Sequence, residues 1–176
     1  MHIDAVTKKA LTKLWCIRRR LKYASRDTKL LAYTTLIRPV LEYASPVWFP
    51  FTKTNIQKLD KVQKLAVRFI TNKFGTRDSI SELCRVLGVQ PLEKKAKLTR
   101  LKLMYQIANN LTKIEKSKYL IPHDGRETRS NHGKLFRGFQ PKNNCFKFQE
   151  WNSLPGHVVR ASSLTEFMND AEALMM

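Results

Sequence analysis

The chain has 176 residues, 43% of them apolar, and its 33 Lys and Arg against 14 Asp and Glu give a formal net charge of +19. The apolar content is enough for one modest core or two small helical subdomains, which excludes disorder throughout. A charge of this size destabilises a compact state by self-repulsion unless an anionic partner neutralises it, so we expect a polyanion as the partner.

The positive charge is concentrated in the first two thirds of the chain. Residues 1–120 hold 26 Lys and Arg against 8 acids, residues 121–145 hold 5 against 2, and residues 146–176 hold 2 against 4. Because the excess lies in periodic segments as well as in a loop, we expect it on folded surfaces, as is typical of proteins that contact a phosphate backbone. The alternative is that these are solvated helix faces that only keep the chain soluble.

The three cysteines are odd in number and widely spaced, which favours neither a disulfide framework nor a zinc site. No apolar run approaches the ~20 residues that a membrane span needs. The N-terminal segment is too basic to form a secretory signal. We therefore predict an intracellular protein, nuclear or cytoplasmic, that is neither secreted nor bound to a membrane.

Two helices are predicted in the first 44 residues. The first covers residues 4–22, with an apolar stripe from Val6 to Leu21 and the basic run of residues 18–20 outside it. The second covers residues 28–44 and contains Pro39, which removes a backbone donor. We expect a kink between Ile37 and Leu41.

The third predicted helix, residues 55–73, has two unlike faces. Apolar residues recur at steps of three and four, and basic residues recur at similar steps elsewhere on the circumference. The apolar positions are Ile56, Leu59, Val62, Ala66, Phe69 and Ile70, and the basic positions are Lys58, Lys61, Lys64 and Arg68. Thr54 and Gln57 predict a capping box at its start, and Gly75 predicts its end.

The rest of the chain predicts further helices and one irregular segment. A short helix capped by Ser79 ends at Gly88, and a longer one begins at Pro91 and ends at the Asn109-Asn110 pair. Residues 121–145 are rich in Gly, Asn, Arg and Lys without a sustained period, which predicts a basic irregular loop. Residues 146–176 predict a small helical module, whose last helix is capped by Ser163 and Glu166.

Two long blocks carry most of the information about the origin of the chain. They are LIRPVLEYASPVW at residues 36–48 and LDKVQKLAVRFI at residues 59–70. Both resemble the segment just downstream of the polymerase palm in non-LTR (LINE-type) retrotransposon reverse transcriptases of the jockey-like group. WNSLP at residues 151–155 stands in the same family order. One departure is that the family's phrase like Ser-Phe-Phe-Pro-Arg-Thr-Ile, a few residues before this motif, is missing.

This resemblance implies an all-α, thumb-like bundle of about five helices at residues 1–120, followed by the basic loop 121–145 and the C-terminal module 146–176. A reverse transcriptase polymerises with two metal ions held by clustered aspartates of the palm. No two of the six aspartates here are adjacent. We therefore predict no enzymatic activity, no metal and no cofactor. In the intact element the partner would be the reverse-transcriptase palm.

A thumb holds template and primer mainly through the sugar-phosphate backbone, so exposed Lys and Arg are the candidate contacts. The candidates are Lys58, Lys61, Lys64 and Arg68 first, then Lys94, Lys97 and Arg100, and then Arg18 and Arg19. Gln63 and Asn72 are expected to add polar contacts. The expected activity is sequence-independent binding of RNA, RNA/DNA hybrid or single-stranded DNA. No oligomeric state is predicted.

Two alternatives stay open at this stage. The basic faces could belong to a helical protein-interaction or structural module that binds an acidic partner. The aromatic residues Tyr43, Trp48, Phe49 and Phe51 could stack on bases, but aromatics at a corner bounded by prolines also fill cores.

Overall fold

A computed structural model of the chain describes residues 2–75, 78–122, 134–137 and 148–175. These residues form helices and connecting turns without any β-strand, and an isolated antiparallel bridge joins Pro122 to Phe136. The predicted all-α fold class is therefore confirmed. The greater part of the predicted basic loop, residues 123–133 and 138–147, lies outside the described residues.

The helices of the described residues follow one another in this order: α1 His2–Arg20, α2 Arg26–Ala32, a π-helical turn Tyr33–Ile37, α3 Arg38–Glu42, α4 Ser45–Trp48, α5 Lys53–Thr71, α6 Ile80–Val86, α7 Leu92–Ala108, α8 Lys116–Tyr119, α9 Phe148–Asn152, α10 Gly156–Val159 and α11 Leu164–Ala173. The five predicted early helices correspond to α1, the stretch from α2 to α3, α5, α6 and α7. The short helices α4 and α8 were not predicted.

The chain forms two compact units. Unit 1 consists of Met1–Ser45 and Pro50–Lys95, and unit 2 consists of Pro46–Phe49 and Ala96–Met176. The boundary falls inside α7, which differs from the predicted boundary at residue 120. The reason is that Leu101 and Tyr105 of α7 share one hydrophobic core with Trp151 and Phe167 of the C-terminal segment. The segment predicted as a separate module thus completes a core that begins in α7.

The stretch from α2 to α3 is interrupted one turn before Pro39. There the backbone N–H of Arg38 donates to the carbonyl of Tyr33, five residues back, which is a π-helical bond. Pro39 has no N–H to offer the preceding turn, and a widened turn is one way in which a helix accommodates such a break. The irregularity lies at Tyr33–Ile37, before the predicted kink between Ile37 and Leu41.

Helix α5 has the predicted two faces but different ends. Thr52, not Thr54, is its N-cap residue, and Thr54 already lies in the first turn. At the other end Asn72 adopts the left-handed conformation with φ of 54° and stops the helix before Gly75 is reached. Asparagine is one of the few residues besides glycine that occupy this conformation at the end of a helix. The predicted capping box and glycine stop are therefore both wrong.

Within unit 1, α1 and α5 lie side by side and run in the same direction. Near their first turns the Lys58 ammonium lies 2.5 Å from the Asp4 carboxylate. Near their last turns the Arg18 guanidinium lies 5.8 Å from the centre of the Phe74 ring. Between these ends both helices contribute fully buried side chains, including Leu14 and Leu59.

Within unit 2 the residues of the WNSLP motif pack in the core and form hydrogen bonds to a neighbouring segment. The buried Trp151 ring donates from Nε1 to the carbonyl of Lys134 at 2.9 Å. The Asn152 amide donates to the carbonyl of Phe136 at 2.8 Å and accepts from its N–H at 3.2 Å. Leu154 is buried, and Pro155 is the N-cap residue of α10. These residues thus hold a neighbouring segment against the core.

The cap of α11 is as predicted in its first half. The Ser163 hydroxyl accepts from the backbone N–H of Glu166 at 3.1 Å. The Glu166 carboxylate bonds the backbone N–H of Ser162 at 2.8 Å, one residue before the cap. The Ser162 hydroxyl also donates to this carboxylate at 2.7 Å, and it and the Ser162 N–H hold the pKa of Glu166 below its ordinary value.

Candidate nucleic-acid interface

The exposed face of α5 carries a basic stripe of three residues. At about 100° per residue, Lys61, Lys64 and Arg68 lie within about 60° of one another on the helix circumference. Lys61 and Lys64 are exposed and Arg68 is half-buried, whereas Leu59 and Ala66 on the opposite side are fully buried. We call Lys61, Lys64 and Arg68 the α5 stripe. Sequence periodicity predicted it because one face of the helix must pack.

Lys58 lies at one border of the stripe and is already paired. Its ammonium donates to Asp4 on α1, and this hydrogen bond holds the pKa of the Asp4 carboxyl below its ordinary value. The pair is exposed, so its net contribution to stability is small. Lys58 is therefore a weaker candidate than the other three, because an anionic ligand has to compete with Asp4.

The other border of the stripe is formed by Asp60 and Gln63. Burial holds the pKa of Asp60 above its ordinary value. The nearby Lys64 ammonium opposes this shift, and Glu93 adds to it. Gln63 is buried and donates to the carbonyl of Gln90 at 3.2 Å. The expectation that Gln63 contacts nucleic acid is wrong, because α5 packs its amide against the segment before α7.

The positive charges of the α5 stripe are little neutralised by other groups of the protein. Arg68 donates to the carbonyl of Gly75 at 2.9 Å, a neutral acceptor that orients the guanidinium without cancelling its charge. Within residues 2–75, 78–122, 134–137 and 148–175, Lys61 and Lys64 form no ion pair. Three cations on one exposed arc can therefore bind an anion directly.

Arg100 is not part of an exposed surface. Its guanidinium binds both carboxylate oxygens of Glu150, at 3.0 and 2.8 Å, and its side chain is only 12% exposed. Such a bidentate pair is strong and geometrically specific. The prediction that Arg100 binds nucleic acid therefore has to be corrected, since in unit 2 this residue joins α7 to α9.

Lys94 and Lys97 lie in the first part of α7, where both are half-buried. Lys94 belongs to unit 1 and Lys97 to unit 2. Both remain predicted contacts outside the α5 stripe.

Arg18 and Arg19 lie in a setting that the sequence reasoning missed. Together with Lys22 they surround a pocket of about 580 Å³ at the adjoining ends of α1 and α5. The remaining lining consists of the aromatic residues Trp15, Tyr23, Phe69 and Phe74 together with Asn72. We call it the aromatic pocket. A signal was present, because Trp15 and Tyr23 flank the basic run of α1, and aromatics interleaved with cations are typical of nucleic-acid binding.

The four aromatic residues for which the sequence left stacking on bases or core packing open differ in their burial. Phe49 is buried, as the core alternative expected, and Trp48 is half-buried with its ring centre 6.3 Å from that of Phe49. Tyr43 and Phe51 are exposed.

Asn72 was also expected to contact nucleic acid, but its side chain forms a hydrogen bond within the protein. Its side-chain oxygen accepts from the buried Lys29 ammonium at 3.0 Å. Asn72 nevertheless lines the aromatic pocket, so its amide lies at the candidate site.

Two negative observations hold for residues 2–75, 78–122, 134–137 and 148–175. In that part of the chain no three His, Cys, Asp or Glu side chains are grouped so as to hold a metal ion. No helix there is both long enough and apolar enough to cross a bilayer. A comparison of the chain with known protein families, curated proteins and solved structures finds no match.

Proposed function

We propose that this chain is a non-catalytic nucleic-acid-binding fragment of a LINE-type reverse transcriptase, and that it binds RNA, RNA/DNA hybrid or single-stranded DNA independently of sequence. One observation carries the proposal: the α5 stripe places three cations, two of them exposed and one half-buried, on one arc of a helix whose other face is core. In the intact element this face would grip the backbone of template and primer next to the palm.

The chemistry of the stripe supports binding to phosphates rather than to bases. Lys and Arg neutralise phosphates and release condensed counterions, which gives affinity without reading sequence. From Lys61 to Arg68 the helix advances about 10 Å, which corresponds to about three base-pair steps along the axis of B-form DNA. Each of the three cations could therefore meet a different phosphate.

The test measures the affinity of the full chain for a random-sequence oligonucleotide at several salt concentrations. Binding through several phosphates makes the logarithm of the association constant fall linearly with the logarithm of the salt concentration, by about 0.7 to 0.9 per neutralised phosphate. A salt-independent affinity together with tight binding of an acidic peptide would favour the alternative, a protein-interaction module.

The stripe itself is tested by the triple variant Lys61→Ala, Lys64→Ala and Arg68→Ala. We expect weaker binding of all sequences alike and a salt slope smaller by about 2 to 3, because three phosphate contacts are lost. Alanine favours helix, so α5 should stay folded. The matched control removes three exposed cations of unit 2 by Lys113→Ala, Lys116→Ala and Arg160→Ala. An equal loss in both variants would contradict a role specific to α5.

A further inference from the structure

The aromatic pocket combines exposed aromatic rings with basic side chains. Tyr23 is 91% exposed and Phe74 is 57% exposed, and both border a cavity of about 580 Å³ that is also bordered by three cations. Sites for small organic ligands have volumes of this order and similar aromatic linings. The pocket is therefore large enough for a planar ring with a charged substituent.

One wall of the pocket is held in place before any ligand binds. The Arg18 guanidinium lies 4.6 Å from the centre of the Trp15 ring and 5.8 Å from that of Phe74. Such cation–π contacts orient both rings and the guanidinium. At the rim, the Lys22 ammonium lies 5.1 Å from the Tyr23 ring centre.

A buried cation contacts two of the residues that line the pocket. Lys29 is only 1% exposed, and its ammonium contacts the Asn72 amide oxygen at 3.0 Å and the Phe69 ring at 4.9 Å, both of which line the pocket. Within the described part of the chain, no carboxylate pairs with it. A buried charge without a counter-ion is unfavourable. An anionic ligand in the pocket would offset part of this cost.

The pocket is also continuous with the α5 stripe. Arg68, the last cation of the stripe, donates to the carbonyl of Gly75, the residue after Phe74. A strand whose phosphates follow the stripe toward the end of α5 would therefore arrive at this pocket. The net charge of +19 opposes a second copy of the chain as the occupant.

We propose that the aromatic pocket binds one unpaired nucleotide, whose base stacks on the exposed rings of Tyr23 and Phe74 while its phosphate contacts Arg19 and Lys22. This inference rests on the proposed function and adds to it a preference for single strands over duplex. The preference arises because bases in a duplex are already stacked and paired, and extruding one from the stack is unfavourable.

The experiment compares a labelled 12-nucleotide single strand with a blunt duplex of the same sequence, both titrated with the full chain. The test variant is Tyr23→Leu with Phe74→Leu, and the control is Tyr23→Phe with Phe74→Tyr, which keeps an aromatic ring at both positions of the pocket. We expect the test variant to lose about tenfold in affinity for the single strand. Its salt slope and its duplex affinity should equal those of the wild type.

The outcomes separate the two proposals. If the wild type binds with the predicted salt slope but the test variant binds the single strand as tightly as the control variant that keeps both rings, the pocket proposal is wrong and the α5 stripe stands. If the wild type shows no salt-dependent binding of either oligonucleotide, the proposed function fails. A single variant, Tyr23→Leu, serves where the double variant does not fold, because Tyr23 is almost fully exposed and contributes little packing.

Discussion

At the level of single residues, the same side-chain type has opposite roles in different places. Lys61 is exposed and free of ion pairs in the described structure, whereas Lys29 is buried against Asn72 and Phe69. Arg100 was predicted to bind nucleic acid but is paired with Glu150. A lysine or arginine in a helical pattern indicates a polar position. Whether the charged group is exposed to solvent depends on which residue from a distant part of the chain packs against it.

This difference is testable by comparing Arg100→Ala with Lys61→Ala. Arg100→Ala should lower the free energy of unfolding by about 2 kcal/mol, because it removes a largely buried bidentate pair and leaves Glu150 without its partner. Its salt slope for oligonucleotide binding should equal that of the wild type. Lys61→Ala should leave stability unchanged and lower the slope by about 0.7 to 0.9. Denaturant unfolding and fluorescence anisotropy measure the two quantities. A reduced slope for Arg100→Ala would return this residue to the interface.

At the level of elements, α5 illustrates what a pattern predicts and where it stops. Its two faces follow from periodicity, since the apolar positions are the ones that the fold buries. Its ends were predicted wrongly. Thr54 and Gly75 were plausible signals, but the helix begins directly after Thr52 and ends where Asn72 adopts the left-handed conformation. Helix ends depend on which residue can adopt the special local conformation, and neighbouring candidates compete for that role.

Asp60 gives a prediction that belongs to this helix. Its carboxyl is partly buried beside Lys64, and burial raises its pKa. The folded state therefore binds the proton more tightly than the unfolded state, so this group favours folding below its ordinary pKa and loses that contribution as the pH rises through the raised pKa. Asp60→Asn should raise the melting temperature at pH 7, and this gain should shrink as the pH falls through the raised pKa and vanish below about 4, the ordinary pKa of the carboxyl.

The same substitution should also tighten oligonucleotide binding, because it removes a negative charge beside the α5 stripe. The matched control is Asp170→Asn, which changes the net charge equally but lies in α11 of unit 2. Anisotropy titrations at pH 7 of both variants measure the effect. A pH-independent gain in melting temperature for Asp60→Asn, or equal tightening by both variants, would show that the local position of Asp60 does not matter.

At the level of the whole molecule, the excess of positive charge predicts a reversal in the effect of salt. Without a ligand, raising the NaCl concentration from about 50 to about 300 mM should raise the melting temperature, because salt screens repulsion among like charges. With a saturating oligonucleotide the same change should lower it, because binding weakens and its contribution to stability falls with it. Thermal melts at several salt concentrations measure both responses.

The control for this experiment is a peptide nucleic acid of the same base sequence, which lacks phosphates. It should leave the ligand-free salt response unchanged. If the oligonucleotide gives the same response as the uncharged analogue, phosphate neutralisation does not explain the charge of this chain.

The sequence by itself determined the helical class, the two faces of α5 and the cap of α11, because each depends on residues within a few positions of one another. The tertiary structure alone decided that α7 is shared between two units, that Arg100 pairs with Glu150, and that Trp15, Tyr23 and Phe74 meet around one pocket. These features join residues far apart in the chain. Spacing within one helix carries no information about which other helix packs against it.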